Sequence, residues 1–171
     1  MNKRFCVLLG LVCLAALFTG CQKEYVHVGE NWQTVHNLKG SENSFELEVS
    51  GPGTVNIGDV LEFTVRSEKS GRMWLVHVDT DDRVTLLYPD SESGSNWLDK
   101  NEYVTIPPRN SGQKIHAVAP AGPATVAFIV TDPDTELYQV LSGQNTTMKK
   151  VLEFVQTRPS WSVRHLVVDV K

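Results

Sequence analysis

The rhythm of apolar and polar positions changes several times along this chain. Residues 5–18 form an almost unbroken apolar run behind Lys3 and Arg4, whereas residues 22–43 are mostly polar with scattered Tyr25, Val26, Val28 and Trp32. From Phe45 onward the period becomes two. Phe45, Leu47 and Val49 alternate with Glu46, Glu48 and Ser50, the pattern of a half-buried strand. Gly51-Pro52-Gly53 breaks it. The same alternation predicts strands over 60–65, 73–78, 84–88, 103–106, 115–119 and 124–131. Asp79 to Arg83 has the length and chemistry of a hairpin turn, and Gly/Pro-rich segments separate most of the other strands. The period then shifts to that of a helix. Met148, Val151, Leu152 and Val155 fall at i, i+3, i+4 and i+7, with Asn145, Thr146 and Thr147 available as caps and Pro159 beyond the end. Residues 161–170 alternate again, with Leu166, Val168 and Val170 expected to face a core. The pattern predicts a mainly β chain: an antiparallel β-sandwich over residues 44–171 with one helix in its C-terminal half.

The first segment is not part of that fold. A positive end, about 14 to 16 apolar residues and a small-residue exit describe a secretory leader, and the run falls short of the roughly 20 residues a membrane-spanning helix requires. The small pair Thr19-Gly20 stands directly before Cys21. This resembles the bacterial lipoprotein signal. The resemblance implies cleavage after Gly20, a diacylglycerol on the sulfur of Cys21 and often a third acyl chain, such as palmitate, on the new amino terminus. Phe18 stands where Leu is more usual. The expected organisation is a leader over 1–20, a lipidated Cys21 opening a tether over 21–43, and the sandwich domain. Two or more acyl chains anchor stably where one does so only reversibly. Fully extended, about 20 tether residues reach roughly 70 Å. Within the tether, Tyr25-Val26-His27-Val28 has an edge strand as its rival reading. Gln22, in place of the Asp that commonly retains enteric lipoproteins at the inner membrane, favours an outer-membrane location in the cell envelope.

Composition narrows the chemistry. Cys6 and Cys13 leave with the leader, so the mature chain has no thiol for a disulfide, a metal or a nucleophile beyond the acylated one. Losing Lys3 and Arg4 leaves 14 basic residues against 20 acidic ones, a net charge of −6. That balance argues against nucleic-acid binding and against a polybasic grip on lipid head groups.

The segments Ile57-Gly58-Asp59-Val60-Leu61, Gly71-Arg72-Met73-Trp74-Leu75, Val78-Asp79, Val84-Thr85-Leu86-Leu87-Tyr88-Pro89, Ile106-Pro107 and Pro120-Ala121-Gly122 follow one another in that order. Over roughly residues 45–133 this series resembles a bacterial family known as domain of unknown function 4384. Arg72 stands where that family often has an aromatic residue, and Asp90 where it often has Asn. The resemblance implies a β-rich accessory module found in secreted lipoproteins and beside peptidase or kinase domains, with no catalytic residues to carry over. Physically, Gly58-Asp59, Gly71 and Pro89 are turn and strand-end positions.

Motifs for chemistry are few. Asp79, Asp81 and Asp82 offer oxygens to a cation, but an EF-hand loop counted from Asp79 would need Gly and Glu where Val84 and Asp90 stand, so a solvated turn is the expectation and no metal or cofactor is assigned. Among His27, His36, His77, His116 and His165 no pair has the helical spacing of a zinc motif, although the last three lie in predicted strands and have the chance to meet. No nucleophile elbow, Ser-x-x-Lys pair or phosphate loop is present, so no catalytic residue is assigned. Loop aromatics anchor partners. Tyr88, Trp97, Tyr103 and Trp161 are the candidate binding residues, centred on the loop 89–103. The reading is a lipid-anchored, non-catalytic adaptor for an envelope protein. Its rivals are a glycan or peptidoglycan binder, and a cell-wall hydrolase, which would need paired carboxylates in a cleft.

Overall fold

The computed structural model describes residues 29–91, 95–143 and 145–171. The leader, Cys21 and the Tyr25–Val28 segment lie outside the described residues. The described chain is mainly β, with antiparallel and mixed sheets and few helices. In order its elements are α1 (Glu30–Asn37), β1 (Leu47–Ser50), β2 (Thr54–Val55), β3 (Val60–Leu61), β4 (Phe63–Ser67), β5 (Gly71–Val78), β6 (Val84–Tyr88), β7 (Trp97–Leu98), β8 (Tyr103–Ile106), β9 (Ile115–His116), β10 (Gly122–Thr131), α2 (Tyr138–Leu141), α3 (Met148–Val155) and β11 (Trp161–Val170).

The strands form a six-stranded sheet in the order β2-β11-β10-β5-β6, to which β7 adds by pairing with β5. A three-stranded sheet runs β1-β4-β8, and β3 pairs with β9. All pairs are antiparallel except β2 with β11. β10 explains the centre. Eight of its residues, Ala124 to Thr131, are buried without interruption. Such a strand needs cover on both faces. Val126, Phe128 and Val130 enter one core with Met73, Leu75, Phe63 and Val65, where Phe63 meets Phe128 edge-on at 5.3 Å between ring centroids. Ala127 and Ile129 enter a second core with Trp74, Val76, Val151 and Val155. Three-stranded sheet and helices thus cover opposite faces of the large sheet.

Two glycines of the expected motifs have steric reasons. A Cβ on Gly71 would sit 2.2 Å from the Thr131 carbonyl oxygen, so only glycine lets β5 start this close to β10. Gly58 has φ +94°, and its turn is held by the Asn56 amide donating to Asp59 Oδ2 at 2.7 Å.

Several expectations change. The single strand expected over 60–65 is divided at Glu62, because β3 pairs with β9 while β4 joins β1 and β8. The one expected helix is α3, capped by Thr147 accepting from the Lys150 amide, and α1 and α2 accompany it. The tether expected through residue 43 is folded over Glu30–Asn37: α1 packs on the domain with Val35 fully buried. Its sequence hid this because Val35 alone is buried, with Trp32 and Leu38 in part, and three such positions make a weak periodic signal. Val168 and Val170 are buried and Leu166 packs against the same core, as the alternation predicts.

Candidate functional site

β6 ends the large sheet and β8 ends the three-stranded one. Between these outer strands a groove of about 360 Å³ opens, with Tyr88 and Val104 along its length and Trp97, Pro108, Asp90 and Gln113 around it. Local chemistry fixes its walls. The buried Asn96 donates from Nδ2 to the Met73 carbonyl at 3.0 Å, its own carbonyl accepts the Met73 amide at 2.8 Å, and Arg72 Nη1 donates to its side-chain oxygen at 3.2 Å. This pins β7 to β5 and aims Trp97 outward. Gln113 Nε2 donates to the Leu87 carbonyl at 3.1 Å, holding the 107–114 segment against the outer edge of β6.

Tyr88 is 5% exposed and its hydroxyl donates to the Ser95 carbonyl. Burial, and then the nearby Asp90, push its pKa above the usual phenol value. Trp97 is 45% exposed, with its indole nitrogen donating to Asp99 Oδ1 at 2.9 Å. That bond orients the ring and leaves its apolar surface open.

The other two candidate residues are elsewhere. Tyr103, 66% exposed, stands on the solvent face of the three-stranded sheet. Its hydroxyl donates to Glu48 Oε2 at 2.8 Å, which raises its pKa, and the Arg66 guanidinium lies 5.9 Å from its ring centroid. Trp161 is 3% exposed within the helix-facing core. A side chain so enclosed, in one core with Trp74, Ile129 and Val155, has no surface to offer a partner. Of the four candidates, Tyr88 and Trp97 share one groove. Asn96 and Gln113, which build that groove, carried no sequence signal: each is a polar residue in a turn-rich stretch.

The aspartate loop has a structural occupation. Asp79 Oδ1 accepts the amides of Asp81 and Arg83, and its Oδ2 accepts Arg83 Nε. Asp82, at φ +61°, turns its carboxylate to the amides of Asn31 and Trp32 at 3.0 and 2.9 Å, capping α1 from another part of the chain. Among the described residues no three or more His, Cys, Asp or Glu side chains are arranged to hold a metal. The strand histidines divide. His77 and His116 border an apolar cavity of about 40 Å³ beside β3 and β9, and His165 meets His36 of α1. Burial lowers the pKa of His77, opposed in part by Asp79.

The family model described as Domain of unknown function (DUF4384) matches residues 54–133, which span β2 to β10. No curated protein and no solved structure matches the chain significantly.

Proposed function

We propose that this protein is a lipid-anchored, non-catalytic binding module of the cell envelope, built on a β-sandwich in which the three-stranded sheet faces the larger one. It holds an envelope protein partner in the groove between β6 and β8. The anchor reading rests on Thr19-Gly20-Cys21 behind the apolar run, and Gln22 favours the outer membrane. The binding reading rests on one observation: Trp97 stands 45% exposed on a groove whose frame is internally hydrogen-bonded. A partly buried aromatic presented by a rigid wall is the side chain that most often anchors a protein partner. Tyr88 supports the floor, and Pro89 and Pro108 stiffen the approach.

A glycan partner is the second reading. It is favoured by Asp90, Ser111 and Gln113 beside the indole, since a sugar stacks an apolar face and hydrogen-bonds at its edge. A hydrolase would need a second carboxylate facing the first. Asp90 is the one carboxylate among the described residues of the groove.

Photo-crosslinking from the exposed position 90 on the groove rim, which leaves Trp97 in place, is done in living cells and read by mass spectrometry to test the partner. Recovery of one envelope protein, lost when the crosslinker is moved to the exposed position 167 outside the groove, supports the proposal. Tight binding of purified wall material with no protein adduct would transfer the groove to the glycan reading. Labelled fatty acid on the wild type, absent from Cys21→Ser, tests the anchor separately.

A further inference from the structure

The N-terminal helix α1 is fastened to the domain by two different kinds of contact. Its first turn is held by polar bonds: Asp82 accepts from Asn31 and Trp32, and Asn31 Oδ1 accepts the Met148 amide at 2.8 Å, which joins α1 to the start of α3. Its last turn is held by the buried Val35 and by a stack of rings. Trp32 lies parallel to His36, with centroids 5.0 Å apart at 14°. His36 in turn meets His165 of β11, with centroids 4.3 Å apart at 48°. His165 stands where β11 has no strand beyond it, because β2 reaches only Asp169 and Val170.

We propose that His36 and His165 form an acid-operated release for α1: when both rings carry a proton, their repulsion lifts the helix from the sheet while the strands stay paired. The surroundings leave that repulsion uncompensated. On β11 the adjacent charge is Arg164, which donates to the Leu47 carbonyl toward β1 and adds positive potential. On β10 the residue opposite His165 is Ala127, flanked on that face by Thr125 and Ile129. The charged residues of α3 are Lys149, Lys150 and Glu153, and α1 itself carries Glu30, with Lys39 just beyond its end. Asp82 binds the first turn of α1, whereas His36 stands in its last. Among the described residues, none of the ion pairs includes either imidazole.

One proton is tolerated and two are not. A single imidazolium at the C-terminal turn of α1 is favoured by the helix dipole and faces a neutral ring. A second proton places two cations at ring contact, so the pair titrates as a unit and the later step drives release. Partial desolvation lowers the pKa of both rings, although His36 remains largely exposed, and each is lowered further by a neighbouring positive group, His165 for His36 and Arg164 for His165. Release therefore belongs to mildly acidic conditions, below the ordinary histidine value of 6.5. If Cys21 is lipidated as proposed above, unfastening residues 30–40 would lengthen the tether by up to about 35 Å at the reach of an extended chain.

Amide hydrogen exchange on the detergent-solubilised full chain, corrected for intrinsic rates, tests the release independently of the anchor and the groove. Between about pH 7.5 and about pH 5.0, residues 31–37 should lose about tenfold or more in protection while β10 keeps its own. His165→Gln should retain α1 protection at the acidic pH. Should that variant loosen α1 already at neutral pH, His36→Gln decides: retained protection in acid supports the release, and acid loss overturns it. Equal α1 protection of the wild type at both pH values overturns it, as does the same acid loss in a His165→Gln chain that is intact at neutral pH.

Discussion

The two faces of the six-stranded sheet are covered by different means. On one face, Val126, Phe128 and Val130 meet the three-stranded sheet, whose strands β4 and β8 belong with β5 and β10 to the segment that matches the family model. On the other, Ala127 and Ile129 meet α1, α2 and α3, all outside that segment. So too are β1 and β11, although β11 pairs with β10 along its whole length. Residues 54–133 therefore supply most of the core between the sheets, which β1 and β11 complete through Leu47, Val168 and Val170, while the second face is covered by the flanking helices. The two covers also differ in kind: one is made of interdigitated strands, the other of a fastened helix that is able to come off.

Large-to-small substitutions in either core carry the largest expected cost. Phe128→Ala, which deletes the ring packed edge-on against Phe63, should cost about 3–5 kcal/mol of global stability, read as a lower denaturant midpoint with two-state behaviour kept. Trp161→Ala should cost a similar amount and leave partner binding per folded molecule unchanged, because the side chain is core and not surface. If Trp161→Ala unfolds normally and instead loses the partner, the assignment of Trp161 to the core is wrong.

Smaller effects come from the fastening of α1. Asp82→Gly removes two acceptors from the amides of Asn31 and Trp32 while allowing the +61° φ that other residues resist. Loss of a cap of this kind costs about 0.5–2 kcal/mol. The loss should appear as faster exchange of α1 amides with β10 unchanged. A uniform loss through both cores would erase the distinction drawn between the faces.

Acid should act on both faces, through different histidines. His77, on the face toward the three-stranded sheet, has its pKa lowered by burial, so the unfolded chain binds its proton more readily than the folded one. Its contribution is present above the ordinary value of 6.5 and is lost as pH falls from there toward the lowered folded value. The thermal midpoint should therefore fall below about pH 6.5, and His77→Gln should flatten that fall. His165→Gln should instead act on α1 exchange. If the two variants have interchangeable effects, the faces do not respond to protons separately.

Much of the strand framework was legible because alternation survives even where sheets change. Val84–Tyr88 and Tyr103–Ile106 stand where period two puts them, and α3 follows its i, i+3, i+4, i+7 face. What was hidden depends on contacts distant in sequence. α1 is capped by Asp82, 51 residues beyond Asn31, so its own segment carries no cap signal. The groove was half legible. Tyr88 and Trp97 are aromatics beside a turn-rich loop, but what brings them together is Asn96 on the Met73 backbone and Gln113 on the Leu87 carbonyl, pairings no local pattern encodes. Trp161 misled because a tryptophan at a strand start looks the same in sequence whether a helix layer covers that face or not.

The smallest stability effect belongs to the residue with the largest expected effect on binding. Trp97 is half outside the protein, and its indole bond to Asp99 is itself at the surface. Truncating it opens no cavity and strands no buried polar atom, so Trp97→Ala should leave the denaturant midpoint within about 0.5 kcal/mol of wild type. β7 keeps its place because backbone pairing with Gly71 and Arg72 and the buried Asn96 hold it, none of which needs the indole. The crosslinked partner should nonetheless disappear, since removal of an interface aromatic anchor commonly costs 2 kcal/mol or more, about a thirtyfold loss of affinity. Trp97→Phe, which keeps an apolar ring but loses the donor to Asp99, should fall between. A stable Trp97→Ala protein that still captures its partner at wild-type strength would move the binding surface away from the β6–β8 groove.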